Sequence, residues 1–271
     1  MKKLGIALLV TIALLGMYEE AFGAPSGNAG KLIITEVAFR ATGGDWIELY
    51  VVDGSVDWSG YRIYKGITLR FTIPATWETN GLTTGDYIVL HDEIGTDDVD
   101  KSDNNSGYWD GYMSGGFYNT DDIVQIKEPS GSTARVDAVI WSDNDESFTG
   151  SAGEANGAVA DGMWNSYDFS SGDAGAWTDS DSIDSIESLA RYLDSGTPVY
   201  ADSNSKSDWY EETSPTEGQE NNTQKPTAVT LSTFTAHSPA PQPAFFRWQW
   251  LALAIGLVLG GGAVVRRLLG R

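Results

Sequence analysis

The sequence predicts an all-β protein: an antiparallel β-sandwich with long loops, followed by one C-terminal transmembrane helix. Three observations lead there. From Lys31 onward, apolar and β-branched runs of strand length recur, broken by GG, DG, TTGD and PSGS; such breaks mark turns between short strands. Within DWIELYVV the residues alternate, placing Trp46, Glu48 and Tyr50 on one face and Ile47, Leu49 and Val51 on the other. Both ends of the chain carry apolar runs of the kind that targets or spans a membrane.

In chain order, residues 1–23 read as a secretory signal peptide. Lys2 and Lys3 precede an apolar run over 4–17, and Ala21-Phe22-Gly23 supplies a small-residue cleavage pattern. The sandwich is expected over 30–222, with strands in KLIITEVAFR, DWIELYVV, YRIYKGITLRFTI, DYIVLHD, DIVQIKE and ARVDAVIWS. Residues 182–193 space Ile183, Ile186, Leu189 and Leu193 as a helix would, but the serines and the surrounding strands leave helix and strand both open. Segments 97–120 and 142–180 are dense in Gly, Asp, Asn and Ser, with isolated aromatics. They are expected as long loops at one end of the sandwich, where binding surfaces usually sit.

Residues 223–244, rich in Pro, Thr and Ser, form an expected spacer. The membrane span is expected over 245–265: between Trp248 and Val265 only Gln249 is strongly polar, and that length nearly crosses a hydrocarbon core. Phe245, Phe246, Trp248 and Trp250 make an aromatic belt at one end, while Arg266, Arg267 and Arg271 mark 266–271 as a cytoplasmic stub. The expected product is therefore exported, a single-pass membrane protein with its folded domain outside the cytoplasm.

Charge narrows the partners. Of 38 acidic residues, 36 lie in 24–222, together with 10 of the 17 basic ones. Nucleic acid and anionic lipid surfaces are disfavoured by such a polyanion, because phosphate binding needs clustered Lys and Arg. There is no cysteine, hence no disulfide framework, no thiolate metal site and no Cys nucleophile. Only His91 and His237 are available to a triad or an imidazole zinc site, and His237 lies in the spacer.

The motifs LIITEV, DWIELYVVDGSVDWSGYRIYKG, GDYIVLHDE, DDIVQIKEPSGSTARVDAVIW, SLARYLD and SDWYEETSPTEGQENN occur in that order. Together they resemble the lamin-tail domain in its bacterial, exported form. The resemblance covers about 31–222. It departs from the family at Val51, where an Asn is usual, and at Glu217, where the closing motif usually has a second proline. It implies an immunoglobulin-like β-sandwich that serves as an accessory binding or scaffolding module. The C-terminal tail in turn resembles the sorting tails handled by exosortase-type enzymes, with Pro241-Gln242-Pro243 where those have Pro-Glu-Pro.

Three groups of residues could carry chemistry. Glu36 and Glu48 invite a paired-carboxylate mechanism of the glycosidase kind; the competing expectation is a structural role, with Arg191 as an available partner for a partly buried acid. Asp97, Asp98, Asp100 and Asp103 offer oxygen ligands for an irregular Ca²⁺ site, the one cofactor suggested. The spacing excludes an EF-hand, which needs Gly where Asp103 stands and Glu where Trp109 stands. Trp109, Trp164 and Trp177 stand in polar loops, where aromatic faces can stack on sugars; alternatively they plug the loops onto the core.

The expected function is thus a membrane-anchored extracytoplasmic binding or scaffolding module without catalysis of its own. Its partner would be a surface protein or a polysaccharide, and no oligomeric state follows from the sequence. A carbohydrate-binding module using the loop tryptophans and a carboxylate-dependent glycosidase are the alternatives.

Overall fold

The computed structural model describes residues 25–40, 44–103, 106–117, 121–129, 133–142, 150–165, 186–194 and 199–226. The expected signal peptide and the expected membrane span fall on residues outside these. Among the described residues no helix is long and apolar enough to cross a membrane.

Two sheets face each other. The first holds six strands: β1 (Leu32–Arg40), β2 (Trp46–Val51), β5 (Tyr87–Asp92), β6 (Trp109–Met113), β9 (Ile186–Arg191) and β10 (Trp209–Glu212), in the order β10-β9-β1-β2-β5-β6. The second holds β3 (Arg62–Lys65), β4 (Thr68–Thr72), β7 (Asp122–Lys127) and β8 (Arg135–Trp141), in the order β4-β3-β7-β8. A mostly β, sandwich-like architecture is therefore present. It is antiparallel except at one place, since β5 and β6 run parallel.

Side-chain alternation decides which residues enter the core. In β2, Ile47, Leu49 and Val51 point between the sheets and join Leu32, Ile34 and Val37 of β1 in the main hydrophobic cluster. Trp46, Glu48 and Tyr50 point to the outer face, yet β2 is buried along its whole length. The reason is a second layer. The chain beyond β9 returns over the outer face of the six-stranded sheet; on the other sheet a helix, α1 (Ala152–Ala160), with Ala155 and Ala158 buried, packs on β8.

Where the structure departs from the sequence reading, local composition explains it. Residues 186–191 are strand β9, paired with both β1 and β10. Its helical spacing loses to pairing on both sides, which lets Leu189 and Ser188 face opposite sides of the sheet. The segment read as YRIYKGITLRFTI is a hairpin, β3 to β4, turning at Gly66-Ile67. Gly66 has φ +52, as the first central position of a tight hairpin turn favours. Strand β6 lies within an expected loop. Its central Gly111 leaves room for Leu90 and Phe71, whose atoms would lie 2.6 and 2.7 Å from a Cβ there. Packing against these neighbours, not its own propensity, makes this Gly/Asp-rich stretch a strand. Gly111→Ala is expected to overpack this site, lowering stability by about 1–3 kcal/mol in a urea unfolding curve.

Candidate functional site

The most chemically distinctive place is the outer face of the six-stranded sheet. A register shift between Ile34 and Glu36 in β1 sets Glu36 directly opposite Glu48 of β2. Neither side chain is exposed. Arg191, expected as a partner, does not serve them. It leaves β9 on the interior face, where Nη2 meets Asp137 Oδ2 at 2.9 Å and Nη1 meets Asp202 Oδ1 at 2.7 Å. Its Nε donates to Ile34 O at 2.9 Å, and Trp209 lies beneath it at 4.8 Å.

The glutamates are held instead by the closing motif. Thr216 donates its hydroxyl to Glu36 Oε2 at 2.7 Å and its N–H to both carboxyl oxygens at 3.2 Å. Ser188 on β9 donates its hydroxyl to Glu36 Oε1. Gly218 N–H donates to Glu48 Oε2 at 2.8 Å, and Thr35 Oγ1 donates to Glu48 Oε1 at 2.6 Å. Asn221 completes the clasp, donating from Nδ2 to Thr35 O at 3.0 Å and to Arg191 O at 2.8 Å. Gly218 is required where it stands: its φ is +70, and the Tyr108 ring occupies the space of a Cβ.

Burial dominates the electrostatics here. It pushes Glu36 up to about 7, against the hydrogen bonds from Ser188 and Thr216, with nearby Glu212 adding to the rise. Glu48 is raised well above the usual carboxylate range, by burial first and by the neighbouring Glu36 second. Two like-charged groups in contact shed protons as a unit, so the pair keeps at least one proton in the neutral range.

Beside the pair lies His91, the imidazole within the sandwich. Its Nε2 is 2.7 Å from Asp110 Oδ1 and 3.9 Å from Glu217 Oε1, and its ring stacks on Tyr112 at 5.4 Å. Burial opposes its charge, but the hydrogen bond and charge of Asp110, with Glu217 and Glu93, raise it overall. Glu217, the departure from the resembled closing motif, also accepts the Tyr108 hydroxyl at 2.7 Å.

The tryptophans expected in binding loops need correction. Trp109 is wholly buried, its Nε1 donating to Asp86 Oδ2 at 3.2 Å and its ring 5.4 Å from Trp77. Trp164, 4% exposed, belongs to the same cluster beside α1. Neither ring presents a face to a sugar. Trp177 lies outside the described residues.

The four aspartates are likewise used locally. Asp97 accepts from Tyr112 N–H at 2.9 Å, Asp98 from Asp110 N–H at 2.9 Å, Asp100 from Ser102 N–H at 2.8 Å and Asp103 from Val99 N–H at 2.7 Å. Among the described residues no three carboxylate or imidazole groups converge as a metal site.

Sequence reasoning missed the role of Thr216, Gly218 and Asn221. Two acids alternating with apolar residues in adjacent strands, plus a late Pro-Thr-x-Gly stretch, are the signal that could have paired them.

These groups fix the pH dependence of stability. Glu36, Glu48, Asp137 and His91 all have folded-state values above their unfolded ones, Asp137 pushed up to about 7 by burial in spite of Arg191. Their contribution is complete below the unfolded values and disappears as pH rises through the folded ones. For Glu36, a rise from 4.5 to about 7 corresponds to on the order of 3 kcal/mol lost across that window. Glu154 and Asp208 act oppositely. Although burial resists, Lys127 and Gln125 hold Glu154 low, and Lys225 and Ser203 do the same for Asp208; their contribution is lost toward strong acid. Urea denaturation across pH is expected to show greatest stability near pH 5 and a decline toward pH 8. A flat profile over that span would contradict the assignment.

Comparison of the chain with protein-family models, curated proteins and solved structures returns no match.

Proposed function

We propose that the chain is a membrane-anchored extracytoplasmic binding or scaffolding module of lamin-tail type, which recognises a surface protein or polysaccharide and performs no catalysis. One observation carries this reading more than any other. The carboxylate pair, which offers the best prospect of bond-breaking chemistry, has its oxygens occupied by Thr216, Gly218, Ser188 and Thr35. A glycosidase needs two accessible carboxyls flanking a sugar, with room for water; here the chain's own closing motif fills that room. The acidic surface agrees with a role outside the cell rather than on nucleic acid. Export and anchoring rest on the leader and tail patterns.

The test is topological and biochemical together. In intact cells the full chain is expected in the membrane fraction, with its β-domain digested by protease added from outside. A chain ending at Pro226 is expected to leave the membrane fraction. Cross-linking in those cells should join the β-domain to a surface protein or wall polymer. Protection of the β-domain, membrane retention of the shortened chain, or turnover of a chromogenic glycoside would each defeat the proposal.

A further inference from the structure

We propose that Glu36 and Glu48 form a proton-operated latch: protonated, the pair seats segment 212–225 on the outer face of the six-stranded sheet; ionised, it releases that segment while the sandwich stays folded. The geometry is unusual in its partners. Two fully buried carboxyls stand opposite each other across β1 and β2. Thr216 and Gly218 of the segment and Ser188 and Thr35 of the sheet donate to them, bonds that favour the ionised form. Among the described residues, however, none comes from a cation, and burial with the facing like charge opposes ionisation.

The charged surroundings reinforce this. From β10 comes Glu212, and the segment itself adds Glu217 and Glu220. Tyr50 of β2, Tyr87 of β5 and Tyr200 also lie on this side. Tyr87 and Tyr200 are both raised by burial first, with Glu48 adding to the rise. From β5 comes His91, from β6 Asp110, which holds it, and from the residue just before β6 Tyr108. Arg191 of β9 leaves from the opposite face and is taken by Asp137 and Asp202. Lys225, the base of the segment, is taken by Asp208 at 2.6 Å. A second negative charge at the pair therefore meets mostly acids.

What yields first is the segment. β1 and β2 share a ladder and an interior apolar cluster, whereas 216–221 is attached mainly through polar contacts, several of them to the pair itself. Loss of the proton on His91 weakens the Glu217 contact in the same direction, since only a charged imidazole attracts that carboxylate.

Hydrogen–deuterium exchange on the full chain tests the latch, with amide rates corrected for intrinsic pH dependence. Between about pH 5.5 and about pH 8.5, protection of 216–221 is expected to fall at least about tenfold, the factor per unit of pKa displacement. Amides of β1 and β7 are expected to hold theirs. Glu48→Gln keeps an uncharged side chain at every pH, with Thr35 able to turn and accept from the new amide. It is expected to reduce the pH dependence of 216–221, and the double variant Glu36→Gln with Glu48→Gln to leave only the part that His91 supplies. Should that variant not fold, Glu36→Gln asks the same question, and the wild-type profile decides if neither folds. Unchanged protection of 216–221, an equal loss in all strands, or the wild-type pH dependence retained in a folded Gln variant would overturn the proposal.

Discussion

Arg191→Ala is expected to lose about 3–5 kcal/mol of folding stability, a large part of what a domain of this size possesses. The guanidinium is essentially buried and joins three parts of the molecule: Asp137 on the four-stranded sheet, Asp202 in the returning segment, and the Ile34 carbonyl on β1. Its charge is favoured by Asp137 and Asp202 in spite of burial. Removal leaves Asp137 in the interior without a cation, although Ile34 N–H still donates to it at 2.7 Å. Burial already pushes Asp137 up to about 7 in spite of Arg191. The penalty is thus a buried carboxyl left without its cation and driven to take up a proton, together with the lost bonds to Asp202 and the Ile34 carbonyl. The double variant with Asp137→Ala should therefore recover part of the loss in urea denaturation followed by tryptophan fluorescence. Equal stabilities for Arg191→Ala and wild type would show that the cross-sheet pair is not formed.

Trp109→Ala is the second large effect, also about 3–5 kcal/mol. The ring is sealed against Trp77, and its indole N–H is satisfied by Asp86. Truncation opens a cavity and takes one donor from that carboxylate, which keeps Lys101 at 2.7 Å and Thr83 N–H at 2.9 Å. A stacking residue on a sugar-binding surface would behave differently, losing ligand at undiminished stability. A folded Trp109→Ala protein with an unchanged unfolding midpoint would restore the binding interpretation.

Much of the fold was legible because it followed from alternation. DWIELYVV sorted its residues to interior and exterior as a strand must, while KLIITEVAFR, DYIVLHD and ARVDAVIWS were legible as apolar, β-branched runs of strand length between turn residues. β6 was hidden because Trp109, Gly111 and Met113 alternate with Asp110 and Tyr112 in a stretch whose composition otherwise reads as loop. β9 was ambiguous because Leu189 and Leu193 satisfy a helical period until their neighbours are known. The site was legible only in part. Glu36 and Glu48 stood out as a pair, and a structural role was foreseen. Their partners were not, since Thr216 lies 180 residues from Glu36 in the chain and no local rule joins such distant positions. The interior loop tryptophans show the same limit: an indole between glycines and aspartates reads as exposed until the core that receives it is seen.

The central claim is that the two glutamates are a water-excluded seat for the chain's own closing motif. Carbon-13 NMR titration of the Glu36 and Glu48 carboxyl carbons tests it most directly. The account predicts that both carboxyls titrate well above pH 4.5, Glu36 near pH 7. Ordinary titration of both near pH 4.5 would place them in water and contradict it.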